Sequence, residues 1–159
     1  MSVPKNKKVH EFLAQQVLTA PKEQLLLMLM DGAVRFAERA RDLLPQKDYE
    51  GFGNACIRTQ RIMMELICSL RKETIGEPLY NNLVGLYHFV YTRLVEANLH
   101  RDADRLDEAL KILRDLREMW HEAVAKDQQE RRQVAGAPAG AAAARPSDLG
   151  SRGGLSITG

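Results

Sequence analysis

Four long stretches of the chain carry their apolar residues at alternating intervals of four and three. That interval gathers side chains onto one stripe of an α-helix. The first stripe is Leu26, Met30, Ala33, Ala37, Ala40 and Leu44, and the second is Phe52, Cys56, Thr59, Met63, Leu66 and Leu70. The third is Leu83, Tyr87, Val90, Leu94 and Ala97. The fourth is Leu106, Leu110, Leu113, Trp120 and Val124, with Ala109 and Leu116 beside it. Such seams mark helices that pack nearly parallel or antiparallel. Thr59, inside a seam, is placed to bond a carbonyl four residues back. β-branched alternation is absent.

The breaks between the stripes agree with this reading. The six prolines (Pro4, Pro21, Pro45, Pro78, Pro138, Pro146) all lie outside the periodic runs. The spacing predicts a first helix from Pro21, at a favoured N1 position behind Thr19 or Ala20, to near Pro45. A second follows Asp48 as N-cap and fades in "RKETIG". A third runs from Pro78, after Gly76, to near His100. A fourth opens in "DADRLDE", where acidic residues suit the helix dipole, and reaches about Gln129. Short connections make neighbours antiparallel. The expected fold is all-α: an antiparallel up-down four-helix bundle over residues 19–130, with a short helical arm at 1–18 and a Gly/Ala/Pro-rich tail at 131–159. Six of the eleven glycines fall after residue 135, and large apolar side chains are few there, so the tail is read as disordered.

Composition narrows the class. With 159 residues the chain suits one domain, and a formal charge of +2 implies neither nucleic acid nor a membrane surface. No run approaches the 18 or more apolar residues of a membrane span, and no apolar segment of signal-peptide type follows "PKNKK". The two cysteines, Cys56 and Cys68, fall twelve residues apart on one helix. That places them roughly 18 Å apart, too far for a disulfide. Free thiols fit the cytoplasm.

What remains after the core is filled is the informative part. Leu25 to Met30 is an unbroken run of six large apolar residues, so the start of the first helix is apolar all round. Leu25 and Leu27 fall about 100° to either side of Leu26, and Met28 falls with Arg35 and Asp42 on the predicted solvent face. Ile57 and Met64 lie off the second seam. Val84, Tyr91 and Val95 form a second stripe on the third helix, as do Ile112 and Met119 on the fourth. Gly32 and Gly85 also face outward on this geometry. Met28, Met64 and Met119 on three outer faces suggest an adaptable apolar surface. In the arm, Val9, Phe12, Leu13 and Val17 are at helical spacing; an arm this short needs a surface to lie on, and the start of the first helix is the nearest.

Several stretches together resemble the flagellin export chaperones, the FliS family: "FLAQQVLTAPKEQLLLMLMDGAVRF", then "NNLVGLYHFVYTRLVEANLHRD", then "LDEALKILRDLREMW". Order and spacing match over roughly residues 12–124. Phe12 and Met30 stand where tyrosine is usual. The resemblance implies a bundle that is not an enzyme and needs no cofactor. It implies a cytoplasmic chaperone that binds the disordered C-terminal segment of flagellin, prevents early polymerisation and presents it to the flagellar export apparatus. Phe12, Val17, Leu25, Leu27, Met28, Ile57, Met64, Ile112 and Met119 are the candidate partner-binding residues, chosen from helical geometry. The competing reading is a helical adaptor or structural bundle for a different, folded partner.

Catalytic patterns are weak. Glu118 and His121 make a single Glu-x-x-His, whereas di-iron bundles use two with two further inward glutamates. His10, His88 and His100 share no ligand spacing. "GFGNAC" lacks the strand and third glycine of a dinucleotide loop. Asp102, Asp104 and Asp107 read as a helix start.

Overall fold

Helices begin where the capping chemistry places them. In the computed structural model, which describes residues 22–136, the order is α1 (Lys22–Leu43), α2 (Tyr49–Ser69), α3 (Lys72–Ile75), α4 (Glu77–His100) and α5 (Ala103–Ala135). Asp48 caps α2, its Oδ1 accepting from the Gly51 amide at 2.9 Å. Asp102 does the same for α5, accepting from the amides of Asp104 and Arg105. Gly76, at φ 86°, takes the left-handed turn that separates the single-turn α3 from α4, and Pro78 follows in the first turn of α4. That φ suits a residue without a Cβ.

Two boundaries differ from the sequence reading. "RKETIG" holds one more turn of helix, α3. The last helix continues to Ala135, past the expected end near Gln129. The chain divides into two units, one ending at His121 and one beginning at Glu122. The expected arm at 1–18 and most of the tail lie outside the described residues.

Within the first unit the long helices form an antiparallel ring in the order α1, α2, α4, α5. Gly32 of α1 meets Ile62 of α2, and Leu43 meets Gly51. Gly53 of α2 meets Asn98 of α4. The start of α5 reaches the ends of α1 and α4 through the Arg41–Asp107 and Arg93–Glu108 ion pairs. Its later turns reach their earlier turns through Glu38–Arg114, Asp31–His121 and Tyr87–Trp120.

The predicted seams form the core. Met30, Ala33, Ala37, Phe52, Cys56, Met63, Leu83, Tyr87, Leu94, Leu106 and Leu113 are all buried in one cluster. Thr59 is buried too, and its hydroxyl donates to the Ala55 carbonyl at 2.9 Å, which satisfies it without a partner helix. Burial of apolar area at about 25 cal/mol per Å² is what holds these helices together.

Candidate partner-binding surface

The outer residues of α2 and α4 meet along one flank of the bundle. Ile57 and Met64, two turns apart on α2, are 38% and 45% exposed. With Gln60, Arg61, Glu65 and Tyr91 of α4 they line a shallow open recess. Val84 and Val95, seven before and four after Tyr91, extend the half-buried stripe along α4 in both directions. The floor of this lane is apolar, and its α2 rim carries Arg61 and Glu65.

A second lane lies on the other flank of α4. Leu79, Leu86 and Phe89 are exposed there, and Arg93 packs its guanidinium 4.8 Å from the Phe89 ring centroid. Arg93 also pairs with Glu108 of α5 at 2.8 Å, which fixes the facing helix. One turn beyond Glu108 comes Ile112, half-buried against the core, and two turns further Met119, 39% exposed. Between the lanes, Gly85 looks into open space.

The two lanes differ from the α4–α5 junction nearer the loop, which is polar. There Glu96 contacts both Arg93 and Arg105, and Arg105 also pairs with Asp102. The hydrogen bond from Arg93, reinforced by the charge of both guanidiniums, holds the Glu96 carboxyl below the usual carboxylate range.

Of the sequence-predicted residues, Ile57 and Met64 are brought together, and Ile112 and Met119 share the second lane. Leu25 and Met28 are half-buried and stand outside the core cluster. Met28 is thus less open than its wheel position beside Arg35 and Asp42 implied. Leu27 requires correction: it is 9% exposed and buried. It lies on the flank of α1 that carries Asp31, Val34 and Glu38, and that flank faces α5. A bundle helix touches two neighbours, so its buried arc is wider than one seam. Gly32 is corrected for the same reason. It faces α2, and a Cβ there would sit 3.4 Å from Ile62 Cδ1. Phe12 and Val17 lie outside the described residues.

Leu79, Leu86 and Phe89 were absent from the candidate set, as was Tyr91's place in the recess. The seven-residue step from Leu79 to Leu86 and the three-residue step to Phe89 were signals that a third apolar stripe, besides the core seam and the Val84–Tyr91–Val95 stripe, runs along α4.

Titratable chemistry is sparse. Cys56 and Cys68 are free thiols, one buried and one exposed. Among the described residues no group of three or more His, Cys, Asp or Glu side chains is arranged to hold a metal ion. His121 Nε2 instead lies 2.8 Å from Asp31 Oδ1, and Glu118 points to solvent. No helix among the described residues is long and apolar enough to cross a membrane.

A closed helical bundle with apolar lanes left open on two flanks belongs to the class of helical binding proteins. Comparison with known proteins gives the family: residues 5–127 match the flagellar protein FliS family, and the chain belongs to it. Similar proteins include the flagellar secretion chaperone FliS of Bacillus subtilis, 30% identical over 72% of this chain and 84% of that one. The flagellar secretion chaperone FliS of Salmonella typhimurium is 36% identical over 65% of this chain and 77% of its own. In fold, the chain is similar to the crystal structure of a flagellar chaperone from bacteria. The TM-score is 0.61 at 18% identity, over 77% of this chain and 99% of that one.

Proposed function

We propose that this chain is a flagellar secretion chaperone that holds the disordered C-terminal segment of flagellin, keeps it from polymerising in the cytoplasm and delivers it to the export apparatus. The observation that carries this reading is the pair of apolar lanes flanking α4. A client that orders into short amphipathic helices would bury its apolar faces in such lanes. Ordering a disordered segment costs about 2–5 kcal/mol or more, so a long apolar surface is required to offset it. The methionines Met64 and Met119 provide side chains that adapt to a helix without demanding one shape. The name carried by the relatives, flagellar secretion chaperone, supports the same role. The flagellin segment and the export apparatus follow from the family resemblance.

The test is titration calorimetry with a peptide of the last roughly forty residues of the host's flagellin, whose binding carries a negative heat-capacity change from apolar burial. Met64→Glu places a charge in the first lane and weakens that binding at least about tenfold, or about 1.4 kcal/mol, with an unchanged thermal midpoint. Absence of binding at micromolar concentrations, or saturable binding to a folded partner in its place, removes the proposal.

A further inference from the structure

The face of the bundle made by α1 and α2, which borders the first lane at Arg61 of α2, carries an unneutralised arginine cluster. Phe36 is half-buried between the two helices, and two guanidiniums face its ring: Arg35 at 5.5 Å and Arg58, from α2, at 5.3 Å from the centroid. Arg39 follows Arg35 by one turn, and Arg61 follows Arg58 by one turn; all four arginines are exposed. Among the described residues none of the four enters an ion pair. The carboxylates on these helices do not neutralise them. Glu38 is taken by Arg114, Asp31 by His121, and neither Asp42 nor Glu65 comes within ion-pair distance of an arginine. By contrast, Arg41 of α1 and Arg93 of α4, on flanks facing α5, and Arg105 and Arg114 of α5 itself are each paired.

Like charges converging on one ring repel, and an incoming anion relieves the repulsion. Guanidiniums offer a planar fork that matches carboxylates bidentately. Two turns before Arg35 the same outer face of α1 carries the half-buried Met28. We propose that this face is a second binding surface, for an acidic amphipathic helical segment of a partner protein. Its carboxylates, one turn apart, would meet the arginines, and an apolar side chain two turns away would meet Met28.

Charge complementarity selects this occupant. The chain's own ends do not fit: residues 1–21 carry Lys5, Lys7 and Lys8 against Glu11, and residues 137–159 carry Arg145 and Arg152 against Asp148. Nucleic acid fits less well, because the chain's formal charge is only +2 and the one ring in the cluster already faces two guanidiniums.

Fluorescence anisotropy of the full chain with labelled short poly-L-glutamate tests the proposal, with labelled oligo-uridine RNA and phosphatidylglycerol vesicles as parallel probes. Poly-glutamate binds, salt weakens the binding, and Arg35→Gln with Arg58→Gln weakens it at least tenfold with helicity intact. A charge-matched control, Arg117→Gln with Arg132→Gln, changes it less than twofold. Equal losses in the two double variants would show unspecific charge attraction and overturn the proposal. So would tighter binding of RNA or vesicles through the same arginines, or a self-association that R35Q/R58Q abolishes.

Discussion

The hydroxyl of Tyr87 shows how a single polar atom is accommodated in this core. Tyr87 is fully buried, and its oxygen accepts from the Trp120 indole N–H at 2.9 Å. Burial pushes its pKa up to about 12, with the Trp120 hydrogen bond acting in the opposite sense. Tyr87→Phe leaves the indole without its partner and lowers stability by about 1–2 kcal/mol, read as a shifted urea midpoint at unchanged slope. Burial likewise pushes the Cys56 thiol up to about 12, whereas Cys68 is exposed. Iodoacetamide at mildly alkaline pH therefore adds one adduct to the native chain, at Cys68, and two to the denatured chain, by mass spectrometry. Glu96 runs in the other direction. Its folded pKa lies below the ordinary value, so its share of stability is complete above the ordinary carboxylate range. That share disappears as pH falls through the folded value. The stability gap between wild type and Glu96→Gln therefore closes on acidification, in denaturation curves taken across that range.

Helix beginnings were legible in the sequence because they depend on side chains with local jobs. Asp48, Gly76 with Pro78, and Asp102 all mark the ends they were expected to mark. Asp48→Ala removes the acceptor for the Gly51 amide and costs about 1 kcal/mol in thermal or urea unfolding. The end of α5 was less legible. After Ala125 the sequence "KDQQERRQ" has strong helix formers but no apolar seam, so a reading that follows seams stops before the helix does. Glycines inside helices divide by surroundings. Gly85 has no neighbouring atom within 4 Å of an added Cβ, so Gly85→Ala stabilises by roughly 0.5–1 kcal/mol in the same unfolding assay. Gly32, with Ile62 beside it, takes a methyl group only if that side chain gives way.

At the scale of the molecule, the sequence indicated which residues were surplus to the core but not which neighbour covers each one. Ile57, Met64 and Met119 remained exposed, while Leu27 was enclosed by its position on the flank facing α5. The arginine cluster was invisible for a related reason. Arg35 and Arg58 are 23 positions apart and meet only because α1 and α2 lie side by side on Phe36. One whole-chain expectation concerns the arm: removal of residues 1–18 raises affinity for the flagellin peptide or drives self-association, measured by calorimetry and sedimentation. Unchanged affinity and unchanged assembly would show that the arm does not share the client's surface.

The pairs between α1 and α5 have a further consequence. Asp107, Arg114 and His121 recur every seven residues and face Arg41, Glu38 and Asp31 in turn. Leu106, Leu113 and Trp120 recur every seven as well, so the apolar seam alone would tolerate α5 sliding by two turns. The charges do not. A slide one way sets Glu38 against Asp107, and a slide the other way sets Arg41 against Arg114. Each exposed pair adds little to stability, yet their signs act as a keyed ratchet with a single seat for the last helix.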